Sequence, residues 1–174
     1  FVSSKAVALL CYLAVTARPH FRTTLAARFW SEMSEANARM NLRHVLANLR
    51  HLVGEHLVIT RDTVAFNRAI PYVLDVEQFE TSLRQAAPSD IDQLRAAVAH
   101  YKGDFLEGFF VRDAPDFDEW MVAEGERLRQ FALQALHELV DYHTVHQQDS
   151  AGIDYAARLL QLDPWREEAH RQLM

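Results

Sequence analysis

The densest group of side chains able to recognise another molecule lies between Asn37 and Val53. There Arg39, Arg43, His44, Asn48, Arg50 and His51 accompany Asn37, and no carboxylate intervenes. Arginine offers a planar fork of donors matching the paired acceptors of guanine, and an asparagine amide can pair with adenine. Each good pair discriminates by about 1–3 kcal/mol. Arg43 and Arg50 are the candidates for guanine, Asn48 or Asn37 for adenine. His44 and His51, seven apart, either contact the same ligand or are exposed imidazoles. Arg39, and Arg22 with Thr23 and Thr24, stand at helix starts, where open backbone amides add to the pull on a phosphate. Arg61, at the tip of an expected hairpin, would enter the minor groove or touch the backbone. Each arginine alone is equally consistent with a solvated surface charge, so the cluster carries the reading.

These residues need elements to position them. Ser3 or Ser4 can cap a first helix near residues 4–17, which Arg18-Pro19 stops, because the residue before proline is pushed out of the helical region. Thr23 or Thr24 can cap a short second helix, LAARFW, anchored by Leu25, Phe29 and Trp30. Ser34 opens a third, which reaches about Val53 and ends at Gly54 as a C-terminal cap. On it Leu42, Val45, Leu46, Leu49, Leu52 and Val53 recur at spacings of three and four as one buried stripe, leaving the cations and amides outside. The runs HLVIT and TVAFN, joined at Arg61-Asp62, read as a hairpin. Three helices followed by a hairpin is the order of a winged helix-turn-helix over residues 1–70. After a seam at Pro71–Asp75, helices are expected at about 76–86, 90–101, 116–147 and 150–161, and from Pro164. Pro88-Ser89-Asp90 and Asp163-Pro164 are stop-and-start signals. Paired helices with short turns, and the segment GIDYAARLLQLDP, suggest a tetratricopeptide-like repeat domain over 71–174. The fold class expected is mainly α.

Composition agrees. The chain has 174 residues, 49% of them hydrophobic and 24% charged, which excludes disorder. Five Gly and five Pro are few for a sandwich of short strands. The net charge of -6 hides an asymmetry. Residues 1–70 hold nine Lys or Arg against four acids, net +5, and the remainder nine against twenty, net -11. A basic module facing nucleic acid, joined to an acidic one, is the reading. The lone Cys11 cannot form an internal disulfide; it reads as a buried structural thiol in a reducing, cytoplasmic compartment. The apolar run Ala6–Val15 is shorter than the roughly 20 residues a membrane span needs. With Lys5 before it and Val15-Thr16-Ala17 after, it mimics a signal peptide, but a helix apolar on nearly all sides also suits the centre of a small domain. A chain starting at Phe1 rather than Met is expected to be a fragment.

The strings KAVALLCYLA, ANARMNLRHVLANLRHLVG, LDVEQFE, YKGDFLEG, DEWMVAEGERLR and LDPWREEAHRQLM, in that order and spanning essentially the whole chain, resemble the Streptomyces antibiotic regulatory protein family. The resemblance implies a winged helix of the response-regulator type joined to a bacterial transcriptional activation domain of tetratricopeptide-like helices. It also implies promoter DNA with direct repeats as the ligand, RNA polymerase as the eventual partner, and a possible homo-oligomer. Family members usually open with a small β-sheet that this chain starts too late to include, and continue past the helix beginning at Pro164. Both ends are expected to be trimmed.

Other constellations read as structure. His137, His143 and His146 are spaced six and three apart, lack a fourth ligand for zinc, and are expected at the surface. Asp113, Asp116, Asp118 and Glu119 match no calcium loop and suit the capping of a helix start. Trp120, Leu128, Phe131 and Leu139 read as repeat core. Phosphate loops, cysteine pairs and hydrolase motifs are absent, so neither an enzyme nor a cofactor or metal is expected. The rival reading is an interaction scaffold without direct DNA binding.

Overall fold

The computed structural model describes residues 3–85, 90–147 and 149–163. The chain divides into two compact units, Phe1–Leu74 with Gly108–Ala123, and Asp75–Glu107 with Glu124–Met174.

In the first unit, α1 (Ser4–Thr16) begins where the Ser3 side chain accepts from Ala6 N, and ends at Ala17 in a left-handed conformation (φ 55°). Ala8, Leu9 and Leu13 are fully buried, so this helix is enclosed, as its nearly uniform apolarity requires. Cys11, within it, is only half-buried. β1 (His20–Phe21) follows, then α2 (Arg22–Phe29) and α3 (Glu35–Val53). β2 (Leu57–Ile59) and β3 (Thr63–Phe66) form the expected hairpin, antiparallel with Ile59 opposite Val64. β1 adds to its other edge, giving the order β1-β3-β2. Two residues are too few to leave a periodic signal, so this strand was not expected.

Its presence also moves the start of α2. Thr23 and Thr24 do not cap it; they lie in its first turn, and Phe21 precedes them without a side-chain cap. The strand pairing carries the Arg22 amide to Asp62 O at 2.8 Å, which satisfies one of the open amides at the helix start. α3 begins as expected at Ser34, whose side chain accepts from Asn37 N. Gly54 follows it in a right-handed conformation (φ -49°) and leads into a single 3-10 turn, Gly54–His56. The buried stripe of α3 is Ala38, Leu42, Leu46 and Leu49, packed towards α1 and α2. Leu52 is 47% exposed, because at 100° per residue it lies about 80° from the stripe's centre.

Residues 108–123 complete this unit. Val111, Ala114 and Phe117 are at most 1% exposed. The Phe117 ring lies 5.3 Å from Phe29 and 5.4 Å from Trp120, and Trp120 lies 4.8 Å from Tyr12. Trp120, expected in a repeat core, therefore belongs to this aromatic cluster. Two cations of the basic stretch serve it as well. Lys5 Nζ donates to Phe29 O (2.7 Å) and Asp113 O (2.8 Å), and Arg28 donates to Asp116 O (2.8 Å). Burial lowers the Lys5 pKa, opposed by the Asp113 carboxylate. The first amides of α6 (Pro115–Val145) at Phe117 and Asp118 bond the Ala114 carbonyl. Asp116 and Asp118 thus sit in the first turn, where their charge opposes the helix dipole favourably.

The second unit contains α4 (Asp75–Gln85), α5 (Ile91–His100), the rest of α6, and α7 (Asp149–Leu162). Asp90 caps α5 by accepting from Gln93 N. Phe79, Leu94, Ala97, Leu128, Leu136, Leu139 and Leu159 form its core. Phe131, assigned to that core from sequence, is 39% exposed and lies beneath the Arg127 guanidinium. His143, expected at the surface, is 1% exposed against the Tyr155 ring, with Arg95 3.2 Å from its Nε2. It follows Leu136 and Leu139 at helical spacing and shares their buried face. His137 is half-buried, 3.0 Å from Asp141, and His146 is exposed. The expected Pro88-Ser89 stop and the helix from Pro164 lie outside the described residues.

One buried polar residue makes the first unit sensitive to pH. His20 is 6% exposed and its Nε2 lies 2.6 Å from Thr16 Oγ1. That hydroxyl already donates to Tyr12 O, so the ring N–H donates to it. Burial above all, then Arg18 and Arg28, lowers the His20 pKa from 6.5. The unfolded imidazole takes up a proton as pH falls through 6.5, the folded one only at lower pH, so the stabilisation is complete above that value and declines below it. Thermal melts from about pH 8 to about pH 5 should show His20→Gln losing less stability on acidification than the parent. Equal losses would place the acid sensitivity elsewhere.

Candidate nucleic-acid interface

The hairpin tip is drawn tight by Thr60, whose Oγ1 accepts from Thr63 N (2.9 Å) and Asp62 N (3.3 Å). Arg61 and Asp62 project from this turn beside the start of α2, which is held there by the Arg22 N to Asp62 O bond and by Arg22 reaching Thr60 O at 3.3 Å. α3 closes the third side. The result is a cleft of about 620 Å³ lined by Arg22 and Thr23, by Arg39, Leu42 and Arg43, and by Arg61, Asp62 and Phe21. Four guanidinium groups face one carboxylate.

Arg39 carries an ion pair to Glu35 at 2.5 Å, with both side chains at least half exposed, so solvent screens it and it holds the arginine weakly. Among the described residues, the Arg43 and Arg61 side chains make no ion pair or hydrogen bond. Along α3, Arg39, Arg43 and Arg50 fall within about 40° of one another at 100° per residue, which makes a cationic flank running out of the cleft. Arg50 is exposed on that flank, and His44, His51 and Asn37 are exposed on the face turned away from the buried stripe. Asn48 is half-buried and its Oδ1 is enclosed without a hydrogen-bond partner, so as placed it presents no acceptor to a base.

The structure therefore gathers Arg22, Thr23, Arg39, Arg43 and Arg61 into one cleft, and leaves Thr24, His44, Arg50 and His51 exposed outside it. Sequence reasoning missed Phe21, 65% exposed at the cleft, because the strand that holds it is so short. It also missed Asp62, although the hairpin turn that was read contains it. The basic excess belongs to this surface rather than to the whole unit. With residues 108–123 included, the first unit has ten Lys or Arg and eight acids, while the second has eight and sixteen.

In the second unit, an apolar groove of about 1060 Å³ runs between α4, α5 and α6, its floor including Leu83, Leu94 and Phe131. At its rim Arg127 is bonded by Glu124 and Glu80, which raise its pKa. Among the described residues no three His, Cys, Asp or Glu side chains gather as metal ligands, and no helix is long and apolar enough to cross a membrane.

The family model described as bacterial transcriptional activator domain matches residues 74–174, more than half of the chain. The chain belongs to that family. No curated protein matches it. Membership in the bacterial transcriptional activator domain family gives the chain a role in transcription regulation. The matched activator-domain segment spans the whole second unit and also residues 108–123, which pack in the first.

If the cleft attracts anions, releasing Arg39 should strengthen it. Glu35→Gln should raise affinity for heparin by about two- to fivefold, the worth of an exposed ion pair, and Arg39→Ala should lower it. Titration by fluorescence anisotropy checks this; unchanged affinity in both variants would leave the cleft out of anion binding.

Proposed function

We propose that the chain is a non-catalytic transcriptional activator of the Streptomyces antibiotic regulatory protein type. In this reading the first unit is a winged helix-turn-helix that binds promoter DNA, and the helices of the second, tetratricopeptide-like, make protein contacts, with RNA polymerase as the eventual partner. It works in the cytoplasm and needs no cofactor or metal. The observation that carries the reading is the joint placement of Arg22, Arg39, Arg43 and Arg61 around one cleft that continues into the exposed cationic flank of α3.

The physics of the duplex assigns the roles. The major groove admits one helix, and α3 is long, amphipathic and free of carboxylates from Asn37 onwards. Arg43 and Arg50 reach guanine edges from its outer side, and Asn37, His44 and His51 approach the same groove. Arg22, Thr23 and Thr24, at the start of α2, bind the phosphates flanking it, with Arg39 beside them. Arg61 carries the hairpin tip to the backbone or the adjacent minor groove. Each neutralised phosphate releases counterions, so affinity falls as salt rises. Direct-repeat sites would align two chains head to tail on DNA, without requiring a symmetric dimer in solution. The apolar groove of the second unit, removed in sequence from all of these cations, supports protein contact as that unit's task.

The test uses a duplex enriched by the chain from a random pool and an unrelated duplex. Arg43→Ala and Arg50→Ala should each cost about 1–3 kcal/mol on the enriched duplex and much less on the unrelated one. Arg22→Ala and Arg61→Ala should weaken both alike, each lowering the slope of log affinity against log salt by about 0.9. Four variants that bind both duplexes like the parent would show that α3 is not the reading helix.

A further inference from the structure

α2 has eight residues, a rigid rod of about 12 Å, and its two ends have different partners. The beginning supplies Arg22 and Thr23 to the arginine cleft. The end is tied to residues 111–117. Phe29 is fully buried with its ring 5.3 Å from Phe117. Its carbonyl accepts from Lys5 Nζ, which also bonds the Asp113 carbonyl. Arg28 donates to the Asp116 carbonyl. Asp113 adopts a left-handed conformation (φ 54°), one that Asp tolerates better than most residues. Val111, Ala114 and Phe117 are at most 1% exposed, so this segment fills space in the first unit rather than resting on it.

We infer that residues 111–117, which lie within the activator-domain family segment, are positioning residues for the DNA-reading surface. The β1–β3 pairing and the Arg22 N to Asp62 O bond pin the beginning of α2 to the hairpin, and by fixing its far end these residues set the direction in which Arg22 and Thr23 face the cleft. Val111, Ala114 and Phe117, which do the packing, are too buried to touch the duplex. Loosening the segment lets the short rod swing about its pinned beginning, which turns the Arg22 and Thr23 side chains away from the phosphate they bind while the buried stripe of α3 stays seated. The inference rests on the functional reading above.

The experiment uses the full chain and a random 20-base-pair duplex, with each variant held well below its melting midpoint. Phe117→Ala and Lys5→Met should lower affinity by about three- to tenfold at low salt and reduce the salt slope by about 0.9, one phosphate contact. Phe117→Leu should restore the slope. Phe79→Ala, in the core of the second unit, should leave it unchanged. Amide hydrogen exchange should quicken in α2 but not in α3. A Phe117→Ala chain that keeps the parent's slope, or one in which α2 and α3 loosen together, would reduce the segment to a structural support and overturn the inference. A parent that loses affinity on Arg43→Ala but not on Phe117→Ala sinks this inference alone; a parent with no salt-dependent duplex binding sinks the functional reading and this inference with it.

Discussion

α3 has one face that must leave water. Ala38, Leu42, Leu46 and Leu49 are all at most 3% exposed, and burying four such side chains contributes several kcal/mol by the usual area relation. Once that stripe is seated, the 100° step of the helix decides where everything else points. Arg39, Arg43 and Arg50 are carried to one flank, and His44 and His51 to the far side. No separate interaction is needed to orient the cations. A polar substitution at Leu46 or Leu49 would therefore displace the cationic flank without touching it.

The cations of the first 70 residues divide into two kinds of work. Lys5 and Arg28 are spent inside the unit, each joining α1 or α2 to the carbonyls of residues 113 and 116. Arg22, Arg39, Arg43 and Arg61 converge on open space. Both kinds look alike in a count of charge. What separates them is where their donors go: Lys5 is held by two carbonyls and penalised by desolvation, whereas the exposed Arg43 and Arg61 side chains keep their hydrogen-bonding capacity for a ligand.

Much of this was legible in the sequence where periodicity is long. The nineteen residues of α3 and the Ser34 cap were readable because spacing and capping chemistry agree. The hairpin was readable from two β-favouring runs joined at Arg61-Asp62. His20–Phe21 was not, since a two-residue strand has no period, and the mistaken cap at Thr23 or Thr24 followed from missing it. Trp120 and His143 were misplaced for a related reason. Local pattern says that a residue lies on a buried or exposed face, but not which neighbour will cover it. A segment of the activator-domain family completing the first unit is a long-range fact, and no spacing announces it. Arg22, Arg39, Arg43 and Arg61 were nominated singly from residue type and position; their convergence on one cleft required the fold.

The second unit has a different character, acidic overall with an apolar groove along α6, so the cationic cleft and the apolar groove belong to different units. The central claim concerns the first. The most direct measurement is an NMR titration of the full chain with duplex DNA, following the arginine Nε–H resonances. The account predicts shifts at Arg22, Arg39, Arg43, Arg50 and Arg61, with Arg95, Arg127 and Arg158 unmoved. Shifts confined to the arginines of the second unit, or none at saturating duplex, would contradict it.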